Sequence, residues 1–214
     1  MTTILPCEYE CSVCGQTSKH YEIGSTNTWG YQDMDTRPPE MMRSTISNWI
    51  QECPHCGYVS QHICDEMQIE REYLDSEEYI NCSGIDFKDD LSKRFYRHYL
   101  ISLKTNDIPE AFYAALHCAW TCDDNCDKNA VPMRKIAVGL ADKLMESDRQ
   151  KNETLLVMKS DLMRRSGEFE ELINQFSGIS LDEELFNRII EFQIERAREK
   201  DDSCYTLEEL AELG

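Results

Sequence analysis

The chain has 214 residues, and its 22 Lys and Arg stand against 41 Asp and Glu, a formal charge of −19 at neutral pH. A balance this acidic repels nucleic-acid backbones and anionic membrane surfaces and excludes both as default partners. Hydrophobic residues make up 41% and charged residues 29%, with 9 Gly and 6 Pro, the composition of a folded chain rather than a low-complexity tail.

The stretch from Met1 to Glu8 has neither a basic start nor an apolar run, so no secretory signal is expected. The longest nearly apolar stretch, Ala111 to Leu116, falls far short of the roughly 18 residues that a membrane span needs. Both features point to the cytoplasm. In that compartment 11 cysteines, an odd number, read as metal ligands, buried thiols or redox groups rather than a disulfide framework.

Residues 1–64 hold four of the six prolines. With alternating segments such as Ser44 to Ile50 and a turn cluster at Thr36-Arg37-Pro38-Pro39, they predict a small β-rich module. Two knuckles mark it, Cys11-Ser12-Val13-Cys14-Gly15 and Cys53-Pro54-His55-Cys56-Gly57. Two residues between cysteines let one tight turn aim both thiolates at one ion, and the Gly that follows lets the backbone turn away with positive φ. Cys11, Cys14, Cys53 and Cys56 are therefore the expected ligands of one structural Zn2+. A tetrahedral four-thiolate site leaves no open position, so the expected role is structural and not catalytic. The 38 residues between the knuckles exceed the common spacing, but closure entropy grows only with the logarithm of length.

Other residues of this module compete for a role. His55 and His62 could ligate, but four thiolates already suffice. Cys7, Cys11 and Cys14 match the Cys-x3-Cys-x2-Cys spacing of radical iron–sulfur enzymes. The second knuckle accounts for Cys11 and Cys14 better, and no repeated strand–helix units follow, so Cys7 reads as a spare thiol. Asp33, Asp35, Arg37 and Glu40 could bind a ligand or serve acid–base chemistry. No His or nucleophile lies near them in sequence, and a salt-bridged turn braced by Pro38 and Pro39 is the simpler expectation.

From Asp65 the pattern becomes helical, which sets the expected units at 1–64 and 65–214. Phe87, Leu91, Phe95 and His98 predict a helix over 87–104. Asp107-Ile108-Pro109-Glu110 predicts a capped start for the next, and Pro132 opens a third through Met133, Ile136 and Leu140. A fourth covers roughly 151–166, and a Gly at its end, followed by Phe169, predicts an immediate second helix. Ser180-Leu181-Asp182-Glu183 reads as a capping box for a helix to about Lys200, and Thr206 to Glu209 as the cap of a short terminal one. Short loops imply a stack of antiparallel helical hairpins. The tyrosines at 73, 79, 96, 99 and 113, with Met41 and Met42, read as core or groove-lining residues.

Cys118, Cys122 and Cys126 recur every four residues beside His117, and on one continuous helix they would share a face able to hold a second metal or act in redox sensing. Packing explains them more simply, because free Cys is among the most buried residue types.

The paired knuckles, the stretch Asp33-Met34-Asp35-Thr36-Arg37-Pro38-Pro39, the reading Cys53-Pro54-His55-Cys56-Gly57-Tyr58, and the helical region with its hairpin turn at Gly167 together resemble an uncharacterised bacterial protein family. That family is a domain of unknown function with an N-terminal four-cysteine zinc ribbon and a C-terminal tetratricopeptide (TPR)-like helical region. Ser12 stands where that family often has Pro, a difference in turn rigidity rather than ligation. The resemblance implies zinc, a bacterial cytoplasm and a helical partner-binding surface, and it transfers no reaction.

The expected fold is α+β and mainly α: a zinc ribbon followed by a TPR-like stack. The expected function is an adaptor whose helical array binds a protein or peptide, with basic partners favoured by the acidity. The alternative is a metal- or thiol-dependent redox enzyme or sensor using Cys118, Cys122 and Cys126. Nucleic-acid binding is the weaker alternative, since residues 1–64 carry 3 cations against 7 acids.

Overall fold

The computed structural model describes residues 1–66, 68–147 and 152–212. The protein is mainly helical with a small N-terminal antiparallel sheet, the α+β, mainly α class that was expected. Strands β1 (Thr3–Glu10) and β2 (Thr17–Ser25) form a hairpin whose register runs from Glu10 opposite Thr17 at the tip to Thr3 opposite Ser25. A second hairpin is only two residues deep on each side, β3 (Gln51–Glu52) with β4 (Val59–Ser60), and it is the better buried of the two.

The segment from Ser44 to Ile50 is not a strand. Arg43–Asn48 forms a 3-10 helix. The reason is local bonding. Thr45 Oγ1 donates to the Met42 carbonyl at 2.7 Å, and the Trp49 indole Nε1–H donates to Thr45 Oγ1 at 2.9 Å. Short polar side chains of this kind divert the backbone from a ladder.

Two single-turn helices, α1 (Arg71–Leu74) and α2 (Glu77–Ile80), bridge to the helical region. The array follows as α3 (Asp90–Lys104), α4 (Ile108–Asp124), α5 (Ala130–Ser147), α6 (Glu153–Arg165), α7 (Phe169–Phe176), α8 (Glu184–Arg198) and α9 (Leu207–Glu212). From α3 to α8 each helix packs on the next, and α6 also packs on α8. No helix among the described residues is long and apolar enough to cross a membrane.

Most of the expected helix ends are present. Asp107 Oδ1 accepts the Glu110 N–H at 3.1 Å with Pro109 in the first turn. Gly167 (φ +79°) ends α6 in a Schellman motif: its N–H reaches the Arg164 carbonyl at 3.0 Å and the Glu168 N–H the Met163 carbonyl at 2.9 Å. The start of the fourth expected helix, residue 151, lies outside the described residues. The capping box at Ser180 is displaced, because α8 begins at Glu184. Asn187 takes over the job. It donates to the Leu181 carbonyl and accepts the Leu181 N–H, both at 2.8 Å, which holds that residue outside the helix.

One apolar cluster joins Cys11, Cys53, Tyr58 and Val59 of the hairpin region to Phe95, Ala115, Trp120, Met133 and Leu162 of the helices. The two hairpins are therefore seated on the array by a shared core.

Candidate metal centre

The knuckles are built alike. In the first, the Gly15 N–H (φ +68°) bonds the Cys11 carbonyl at 2.8 Å and the Cys11 N–H bonds the Gln16 carbonyl at 3.0 Å. In the second, the Gly57 N–H (φ +71°) bonds the Cys53 carbonyl at 2.9 Å and the Cys53 N–H bonds the Tyr58 carbonyl at 2.8 Å. Only glycine adopts this left-handed turn without strain, which is why each Cys-x2-Cys is followed by one. Each knuckle tips a hairpin, and the Ser12 N–H donates to the carbonyl of Ile63, just past β4, at 2.9 Å, tying the first knuckle to the second hairpin.

The four sulfurs converge, with the ligand atoms of Cys11, Cys14, Cys53 and Cys56 all within 4.8 Å of one another. Cys11 Sγ lies 3.7 Å from Cys56 Sγ, and Cys14 Sγ lies 3.6 Å from Cys53 Sγ. A tetrahedron with metal–sulfur bonds of about 2.3 Å has edges of about 3.8 Å. The separations, the soft donors and the burial of Cys11, Cys53 and Cys56 fit a metal ion with four protein ligands. Burial pushes the Cys11 and Cys56 thiols upward, whereas at Cys14 burial is outweighed by hydrogen bonds from the Gln16 amide and Cys53, and the value falls. A divalent cation is what makes four neighbouring thiolates tolerable in this setting.

Support for the second knuckle comes from the helices. The Tyr79 hydroxyl of α2 donates to the Gly57 carbonyl at 2.6 Å, and Arg97 of α3 reaches Glu52, beside Cys53, at 3.0 Å while its guanidinium lies 5.5 Å from the centre of the Tyr79 ring. Sequence spacing carries no signal for these partners. Tyr79 reads from sequence only as a core residue, and it is indeed buried.

The competing residues go elsewhere. Cys7, on β1, faces Glu22 Oε2 at 3.6 Å. His55 and His62 are exposed, and His62 Nδ1 lies 3.2 Å from Glu22 Oε1. Cys118 and Cys122 are fully buried on α4, whereas Cys126 lies past its end with φ +50° and is exposed, so the three do not form one face. Among the described residues the four knuckle cysteines are the only cluster of this kind.

Asp33, Asp35 and Arg37 form more than a turn. Asp35 Oδ2 accepts both Trp120 Nε1–H at 2.7 Å and Arg165 Nη1–H at 2.9 Å, while Arg37 donates to Asp124 Oδ2 at 2.6 Å. Asp33 pairs with Arg43, and its neighbour Met34 donates its N–H to the Tyr205 carbonyl at 3.0 Å. The loop thus pins the N-terminal part to α4, α6 and the segment before α9. Glu40 stays at the surface, accepting from Ser44 Oγ at 2.5 Å.

Fold and site together define a helical protein with a four-cysteine metal-binding centre at the tips of two hairpins. No family model, curated protein or solved structure matches the chain.

Proposed function

We propose that the protein is a zinc-binding adaptor, in which one structural Zn2+ on Cys11, Cys14, Cys53 and Cys56 locks the N-terminal module of residues 1–64 onto a TPR-like array, residues 65–214, that binds a protein or peptide. The observation that carries the reading is the closed sulfur tetrahedron. With four protein ligands the ion cannot receive a substrate, so its contribution is to folding and to the placement of the hairpins. The array is what remains for recognition. Its acidity favours a partner with basic residues, and the resemblance to the bacterial zinc-ribbon and TPR-like family supports the same reading and a cytoplasmic setting.

Elemental analysis of protein purified without added metal tests the first half, with one zinc per chain expected. Affinity capture from a bacterial lysate at low salt tests the second. Recovery of no protein partner under those conditions counts against the adaptor, and a second metal or iron counts against a purely structural ion.

A further inference from the structure

Between the N-terminal part and helices α3 and α4 lies a cavity of about 400 Å³, in the range of about 300–1,000 Å³ usual for small-molecule sites. Its walls include Trp49, Phe95, Ile50 and Met42, and its polar lining includes Glu110 and His98. We propose that this cavity binds a small organic ammonium ion, with the alkyl part against the apolar wall and the charged nitrogen on Glu110.

Four observations support the assignment. First, His98 is 3% exposed, its Nε2 is 2.7 Å from Glu110 Oε1, and its Nδ1 is buried with no hydrogen-bond partner. Second, Gln61 Nε2 also donates to Glu110 Oε1, at 2.6 Å, so the carboxylate is oriented through one oxygen while Oε2 takes no hydrogen bond among the described residues. The His98 hydrogen bond lowers the Glu110 pKa, which keeps the group ionised at neutral pH. Third, no Lys or Arg lines the cavity, whereas Glu22 does, with His62 at 3.2 Å, so an anionic ligand would meet two carboxylates and no Lys or Arg to hold it. Fourth, the wall is aromatic. Trp49 and His117 meet edge to face with ring centres 5.2 Å apart, and Phe95 lies 5.4 Å from His117. Aromatic faces beside a carboxylate attract a cation. A ligand carrying an ammonium group therefore matches the carboxylate and the aromatic wall that the cavity offers.

This goes beyond the adaptor reading and requires no protein partner. The test is isothermal titration calorimetry of the full metal-loaded chain with n-butylammonium chloride, sodium butyrate and Nα-acetyl-lysine N-methylamide. Saturable one-site binding of butylammonium and none of butyrate is expected. Glu110→Gln should weaken binding by about tenfold, the loss of a charge-assisted contact, with metal content unchanged. Trp49→Phe, which keeps a ring but a weaker one, should weaken it by a few fold. Tighter binding of the lysine amide assigns the site to a lysine side chain, and tighter binding of butylammonium assigns it to a free amine, the ammonium chemistry standing in both cases. Failure of both amines to saturate in the millimolar range, preference for butyrate, or a folded Glu110→Gln protein that binds as the parent does would overturn the proposal.

Discussion

The indole of Trp120 donates its Nε1–H to Asp35 Oδ2 at 2.7 Å, a bond between a loop of the N-terminal part and the C-terminal part of α4. Arg165 reaches the same oxygen at 2.9 Å and also holds Asp123 at 2.8 Å, and Asp35 itself is wholly buried. A buried pair adds little over an apolar substitute, but breaking one side leaves a charge stranded, at about 3–5 kcal/mol. Asp35→Ala should therefore lower the unfolding free energy in urea at pH 7 by about that amount. Asp35→Asn, which keeps an acceptor for Trp120, should cost less. A loss for Asp35→Ala within the roughly 0–1 kcal/mol typical of exposed pairs would show that the loop is not a structural anchor.

Removing one knuckle ligand gives the second prediction. Cys53→Ser should abolish stoichiometric metal binding, because a three-thiolate remnant cannot close the tetrahedron, whereas Cys7→Ser on β1 should retain it. Chelation of the parent should raise amide exchange at the knuckles and in β3 and β4 while α4 and α5 stay protected, since the helices pack on one another without the ion. Restoring metal at a hundredfold excess over its Kd should return about 2.7 kcal/mol of stability. Equal exchange in the chelated and loaded protein would contradict a structural role for the site.

The thiols outside the knuckles should differ in reactivity by environment. Cys64 and Cys126 are exposed and should alkylate first with iodoacetamide, read by peptide mass spectrometry. Cys204 is exposed as a residue, but its Sγ lies 3.3 Å from Asp33 Oδ2 and burial pushes its pKa up to about 12, so it should lag. Cys118 donates to the Ser92 carbonyl at 3.3 Å, and burial holds its thiol well above the ordinary value, so it should stay unmodified until the protein unfolds. Rapid native labelling of Cys118 would revive the redox alternative.

What the sequence made legible was local. A Cys-x2-Cys followed by Gly, the Asp107 cap and the Gly167 turn are each complete within one short stretch of chain, so their chemistry could be read before any packing was known. The capping box at Ser180 has the right letters, but Asn187 binds the Leu181 backbone first, and that competition arises from the fold. Helices α1 and α2 are single turns too short to show a periodic stripe. The Asp35, Trp120 and Arg165 contacts and the pairing of His98 with Glu110 join separate elements, so no spacing rule could announce them. The ammonium cavity was hidden for the same reason, its lining drawn from β2, the 3-10 segment, α3 and α4.

His117 provides a prediction in pH. Burial lowers its pKa to about 4, with Glu110 pulling upward and His98 downward. Its ring lies 4.8 Å from Trp120 and 5.2 Å from Trp49, centre to centre. An unfolded imidazole titrates near 6.5, so between pH 6.5 and about 4 the unfolded chain binds a proton that the folded chain refuses. The contribution is therefore fully present above about pH 6.5 and is lost as pH falls toward 4, the loss reaching up to about 2 kcal/mol at pH 5. The Glu110 shift has the opposite chemical origin, a carboxylate held ionised chiefly by the His98 hydrogen bond, and its contribution is present above the unfolded value of 4.5 and is lost as pH falls through it, at the acid end of this window and below the pH 5 measurement. His117→Phe keeps an aromatic ring among Trp49, Phe95 and Trp120 and removes the proton acceptor. Urea unfolding of both proteins at pH 7 and pH 5 should show the parent losing up to about 2 kcal/mol more than the variant. Parallel losses would mean that the ring takes up its proton in the folded state as easily as in water, and that burial does not exclude the charged form of His117.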